Sequence, residues 1–98
     1  MTKSASFHPM AEIEMNEAAE YYETRETGLG NAFIDEVERA INSIRQNPES
    51  APIIAQSIRR KILWRFPYNL MYLIIADAIR ILAVASQKRR PFYWRDRK

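Results

Sequence analysis

The chain has 98 residues, 47% hydrophobic and 28% charged, enough for one core in a single domain over 1–98, and its lack of cysteine excludes disulfides and thiolate metal sites. The net charge of +3 conceals a division: residues 1–50 carry four basic against ten acidic groups, a balance of −6, and residues 51–98 eleven against two, a balance of +9. That asymmetry points to a polyanion or an acidic partner at the carboxyl-terminal half, or to halves that complement each other in the fold.

Residues 4–8 are a candidate short edge strand. Pro9 suits the first turn of a helix, where a missing N–H costs nothing. Ala11, Met15, Ala18, Ala19 and Tyr22 then form one stripe at helical spacing, and Glu12, Glu14, Glu17, Glu20 and Glu23 occupy the opposite, solvated face. Ile13 stands among these glutamates as a single exposed apolar residue. Gly28 and Gly30 end the helix, glycine being the usual left-handed cap. In a second helix Phe33, Val37, Ala40, Ile41 and Ile44 share a face, with Asp35, Glu36, Glu38, Arg39 and Arg45 around the rest, and Asn47-Pro48 stops it. The two make an antiparallel helical hairpin over residues 9–47.

Residues 49–56, with Pro52, read as a loop into a sheet that spans residues 57–86. Residues 58–66 alternate imperfectly, with Arg60, Ile62, Trp64 and Phe66 on one side and Arg59, Lys61, Leu63 and Arg65 on the other. Pro67 forces a turn or a sheet edge. Residues 70–76 are apolar on both faces, which predicts a central strand covered on both sides. Asp77-Ala78 is the hairpin turn, and residues 79–86 return with Arg80 as their only charge. Residues 87–98 form a basic, aromatic tail. Helices precede strands without interleaving, so the predicted fold class is α+β, a helical hairpin on one face of an antiparallel sheet. The longest apolar run, residues 70–76, is too short to span a bilayer, and no signal-type run opens the chain; a cytoplasmic protein is expected.

Composition narrows the chemistry. The lone His8 sits far from the two carboxylates of the strand half and reads as a helix-start residue, so no metal site and no cofactor are expected. Paired-carboxylate hydrolysis, a serine–histidine nucleophile and a glycine-rich phosphate loop have no residues to support them. Arg, Lys and Tyr remain. Guanidinium groups bind phosphate bidentately and stabilise phosphoryl transition states, and a tyrosine among cations can transfer protons. Phe92, Tyr93 and Trp94 between arginines can stack on unpaired bases. The competing reading makes Trp64, Phe66, Tyr68, Tyr72 and Trp94 packing residues, and alternation favours packing for Trp64, Phe66 and Tyr72. Arg89, Arg90 and Arg95 are not core residues.

The order of Phe7-His8-Pro9, Tyr21-Tyr22-Glu23, Gly28-Leu29-Gly30, Arg65-Phe66-Pro67-Tyr68-Asn69-Leu70-Met71-Tyr72 and Arg89-Arg90-Pro91-Phe92-Tyr93-Trp94 resembles the RelE/ParE superfamily of toxins from bacterial type II toxin–antitoxin modules. The resemblance covers nearly the whole chain. It implies a helical hairpin on a curved antiparallel sheet, growth inhibition, and a cognate antitoxin that wraps and neutralises the domain as a hetero-oligomer. RelE-like members cut mRNA on the ribosome without metal; ParE-like members inhibit DNA gyrase. The RelE-like pattern has Arg after the Tyr that opens the central strand and often His before the basic pair, where this chain has Asn69 and Gln87. Those exchanges remove a phosphate clamp and a proton-transfer group, so the resemblance implies gyrase inhibition first. Ribosome-dependent mRNA cleavage, with Arg89, Arg90 and Tyr93 as catalytic residues, is the second reading, and a non-toxic antitoxin-binding remnant the third. Arg59, Arg60, Lys61, Arg65, Arg80, Trp94 and Arg95 are the candidates for target or antitoxin binding.

Overall fold

The structure, a computed structural model, describes residues 3–98. The amino-terminal half forms the two helices at the predicted places, α1 (Pro9–Arg25) and α2 (Leu29–Gln46). His8 caps α1, its Nδ1 accepting from the Met10 N–H at 3.0 Å. Gly28 has φ +90°, the left-handed conformation that a tight interhelix turn needs. Gly30 serves another purpose: a Cβ there would lie 2.6 Å from the Ala19 carbonyl oxygen, so its hydrogen allows the helices to touch. The Glu23 carboxylate holds the corner by accepting from the N–H groups of Gly28 and Gly30.

The strands are β1 (Ser4–Phe7), β2 (Ile53–Ala55), β3 (Ile58–Ile62), β4 (Tyr68–Ile75) and β5 (Ala78–Ser86), in the sheet order β1-β5-β4-β3-β2. Four neighbouring strands are antiparallel, but β1 pairs in parallel with β5, so the sheet is mixed. The α+β class with a helical hairpin over the sheet stands; the parallel edge is an addition. The β4–β5 turn is Ala76-Asp77, one residue earlier than predicted, with Ala76 at φ +51° and Ile75 paired with Ala78. The third strand ends at Ile62 rather than 66. Leu63 and Phe66 both turn inward while Trp64 and Arg65 face out, a spacing that no pleated strand can produce. The bend is held by the Glu36 carboxylate, which accepts from the Arg65 N–H at 2.8 Å.

Both faces of the sheet are covered around Leu70, Met71 and Tyr72, but the two-sided cover predicted for residues 70–76 stops short of the end: Ile75 is exposed and Ala76 belongs to the turn. Under the helices, Phe33, Val37, Ile44, Leu70, Tyr72, Ile79, Ile81 and Val84 form the main core. Tyr22, Phe33, Phe66 and Tyr68 cluster there with ring centroids 4.8–6.1 Å apart. On the opposite face Ile58, Met71, Leu82, Ala83 and Ala85 pack against Trp94 from the tail. A bulge at Met71/Tyr72 leaves Leu82 unpaired, which lets the consecutive Leu82 and Ala83 join the same cluster. No helix among the described residues is long and apolar enough to cross a membrane.

The outer edge of β5 changes partners partway along. Residues 78–81 pair with β1, and His8 N–H reaches Ile81 O at 2.8 Å. Beyond that point side chains take over: Glu14 Oε1 accepts from Val84 N–H at 3.0 Å, and Arg97 donates to Leu82 O at 3.0 Å. The acid row of α1 is therefore not wholly solvated.

Candidate functional site

The basic residues predicted for function separate into two kinds. Arg59 donates to Glu49 O at 2.9 Å and Ala51 O at 2.6 Å, fastening the loop before β2, while Tyr72 holds Pro48 O at 2.7 Å. Arg80 donates to Ser6 Oγ and Phe7 O, tying β5 to β1. These two arginines are braces. Trp94, expected at a binding surface, is 3% exposed and belongs to the second core, where its indole covers Met71 and Leu82. Trp64, for which strand packing is the sequence expectation, is 97% exposed, because the bend after Ile62 turns it outward beside Lys61 and Arg65.

A different set converges. A cavity of about 190 Å³ opens between the ends of β3, β4 and β5 and the start of the tail, lined by Arg60, Asn69, Ser86, Gln87, Arg89 and Arg90 with an apolar floor that includes Met71 and Trp94. The sequence separates Arg60 from the Arg89-Arg90 pair; the sheet unites them, because Arg60 pairs with Met71 and Met71 with Ala83, one strand further on. The Arg60 Nε is buried without a hydrogen-bond partner. Asn69 and Gln87, which stand where the resemblance leads one to look for Arg and His, bond to each other, Gln87 Nε2 donating to Asn69 Oδ1 at 3.3 Å. Lys61 lies outside this cavity in a groove with Trp64 and α2, and Arg95 lies exposed at the other end of the tail.

Tyr93 borders the cavity, yet its hydroxyl donates away from it, to Glu14 Oε2 at 2.8 Å. Burial, followed by the hydrogen bond to Glu14 and that residue's charge, pushes the phenol well above its ordinary value, and Arg89 and Arg97 offset this only in part. Arg89 lies over the Tyr93 ring, 4.0 Å from its centroid. A phenol so held is a poor proton carrier near neutral pH. The tail residue Phe92 has φ +64°, an outlying conformation for a bulky side chain; the residue is 42% exposed, and its ring lies beside Trp94 at a centroid distance of 5.6 Å.

Two acids escaped the sequence reading. Glu14 lies three residues after Ala11 and four before Ala18, and Glu36 three after Phe33 and four before Ala40. Each sits at the margin of a buried stripe, and that spacing is the signal that could have found them.

A helical hairpin on a small sheet, with a cationic cleft made by the last strand and tail, is the architecture that the resemblance to the RelE/ParE toxins implies. The chain belongs to the ParE toxin family: the family model described as the ParE toxin of the type II toxin–antitoxin system parDE matches residues 5–91. The fold is similar to a solved chain of the "Chromosomal ParDE TA system from P. aeruginosa", with a TM-score of 0.71 and 13% identity over 87% of this chain and 96% of that one. A comparison with curated proteins finds no match. Family membership implies an antitoxin partner.

Proposed function

We propose that this toxin inhibits DNA gyrase through protein contacts and performs no reaction of its own. The observation that carries this reading is the Asn69–Gln87 amide pair in the cleft, with the Tyr93 hydroxyl turned to Glu14. Neither amide transfers a proton, so the cleft has guanidinium groups for phosphate but no group to carry the proton that phosphodiester cleavage requires. Trp64, 97% exposed beside Lys61 and Arg65, is the anchor we assign to protein contact, since tryptophan and arginine are enriched among the residues that carry interface energy.

The antitoxin neutralises the toxin in the cytoplasm as a hetero-oligomer, and its toxin-binding segment is acidic and apolar, complementary to the +9 half. The test is a supercoiling assay with purified chain, gyrase and relaxed plasmid. Loss of supercoiling, reversed by antitoxin, is expected. Unchanged supercoiling at saturating toxin, together with cleavage of mRNA on ribosomes, would replace this reading with the ribonuclease one.

A further inference from the structure

The acidic and basic halves do not neutralise each other within the chain. Among the described residues a single ion pair, Arg97–Glu14, joins them. Two exposed faces keep opposite charges unpaired, and both also carry apolar side chains. On α1, Met10, Ile13, Glu17 and Tyr21 recur at spacings of three, four and four, which makes one outward stripe. Met10, Ile13 and Tyr21 are each close to half exposed, and Glu17 and Glu20 beside them form no ion pair within the chain. Arg25, the one cation of this helix, is engaged with the Tyr21 hydroxyl. The other face is a groove of about 660 Å³ between α2 and the bend after β3. Exposed Ile62 and Trp64 stand at its edge, with Arg39 and Lys61 in its lining and Arg65 next to Trp64. Its one acid, Glu36, is buried and already accepts from the Arg65 N–H, and none of the three cations forms an ion pair within the chain.

We infer that the free chain associates with a second copy of itself, α1 of one copy lying in the α2–β3 groove of the other. Each face supplies what the other lacks. One is an apolar stripe edged with carboxylates and the other an apolar rim with three cations, the arrangement by which an amphipathic helix enters a groove. The opposite side of α1, with Ala11, Met15, Ala18 and Tyr22, is packed in its own core, so the outward stripe is left for another molecule. The two faces differ, so the contact is heterologous and copies add head to tail. One helix in one groove lies at the small end of interface sizes, so the association is weak, with a Kd of about 100 µM. Where Trp64 also meets gyrase, as proposed above, self-association and target contact compete. The association itself stands without that reading, because it is measured on the chain alone.

The experiment is sedimentation of the full chain from about 10 µM to about 1 mM. The average mass is expected to rise with concentration above that of one chain, and to fall back as salt goes from about 0.05 M to about 0.5 M. Trp64→Ser should weaken association at least about thirtyfold and Ile13→Asn about tenfold. Both residues are exposed, so both variants keep the fold. An equimolar mixture of the two should regain the wild-type affinity but stop at two copies, because each variant keeps the face that the other has lost. Arg90→Gln, at the cleft, should associate like the wild type. A single-chain mass at every concentration, wild-type association of Trp64→Ser or of Ile13→Asn, or a mixture as weak as its components would each overturn the assignment. Loss of association in Arg90→Gln, with Trp64→Ser unaffected, would overturn it too by moving the acidic helix to the cleft.

Discussion

Glu14 and Arg97, 83 positions apart, meet through two parallel hydrogen bonds, Nη1 to Oε1 at 2.9 Å and Nη2 to Oε2 at 3.0 Å. Their side chains are 10% and 14% exposed, so the pair is largely out of water. Each also serves β5, Glu14 at Val84 N–H and Arg97 at Leu82 O, and Tyr93 completes the set. The pair thus replaces the strand that β1 ceases to provide after Ile81.

Breaking a largely buried pair by removing one partner strands the other charge. Glu14→Ala is expected to destabilise the fold by about 3 kcal/mol, because Arg97, Tyr93 and Val84 N–H all lose their acceptor. Glu17→Ala, on the same helix but exposed, should change stability by less than about 0.5 kcal/mol. Urea midpoints of the two variants check this.

The two tryptophans should separate cleanly by fluorescence. Trp64→Phe is expected to leave a blue-shifted emission that iodide barely quenches, from Trp94 at 3% exposure. Trp94→Phe should leave a red-shifted, fully quenchable signal from Trp64, 97% exposed. Trp94→Ala, which empties the second core, should cost about 3–5 kcal/mol, whereas Trp64→Ala should cost almost nothing in stability and at least about 2 kcal/mol in capture of a protein partner.

At the helix corner, Gly30→Ala is expected to destabilise by about 1–3 kcal/mol, because the new methyl meets the Ala19 carbonyl at 2.6 Å. Gly28→Ala has open space around it, and only its φ of +90° resists the change; about 1 kcal/mol is expected there. Thermal melts of the two variants should rank them in that order.

Alkaline pH should unfold the protein earlier than its acidic groups alone would suggest. Burial raises the phenols of Tyr22, Tyr68, Tyr72 and Tyr93 above the ordinary 10.0, with Glu14 adding to the effect at Tyr93. Between that value and the higher folded ones, the unfolded chain loses protons that the folded chain keeps. Stability is therefore undiminished below pH 10 and falls above it. Tyr93→Phe should flatten the fall, as read from denaturation midpoints across the alkaline range.

The helical hairpin was legible because its signals are local: Pro9, the stripe from Ala11 to Tyr22, the glycine corner and the face from Phe33 to Ile44 all lie within a few turns of one another. Charge class was the weaker guide. Glu14 and Glu36 read as surface because they are acids, although their spacing put them beside buried alanines. The strand after Ile58 was overextended because Leu63 and Phe66 continue an apolar pattern whose i, i+3 spacing belongs to a bend. The tryptophans exchanged places for the same reason: Trp64 follows that bend, and Trp94 folds back over a sheet face that periodicity does not reveal. The cleft was half legible. Its arginines stand out by residue type, but their meeting depends on the β3–β4–β5 register, and Arg59 and Arg80 differ from them only in which carbonyls lie nearby. The parallel edge left no local mark, since Ser4–Phe7 pairs with a partner 74 positions away.

That edge also sets the order in which the molecule can be completed during synthesis. Phe7 is made long before its partner Ile81, while the cleft needs Arg89 and Arg90 and the second core needs Trp94, later still. A nascent chain can form its helical hairpin early, but it closes its sheet only with Ala78–Ile81 and its cleft only with Arg89 and Arg90. A chain cut before Trp94 thus keeps its helical hairpin but leaves one sheet face without its cover.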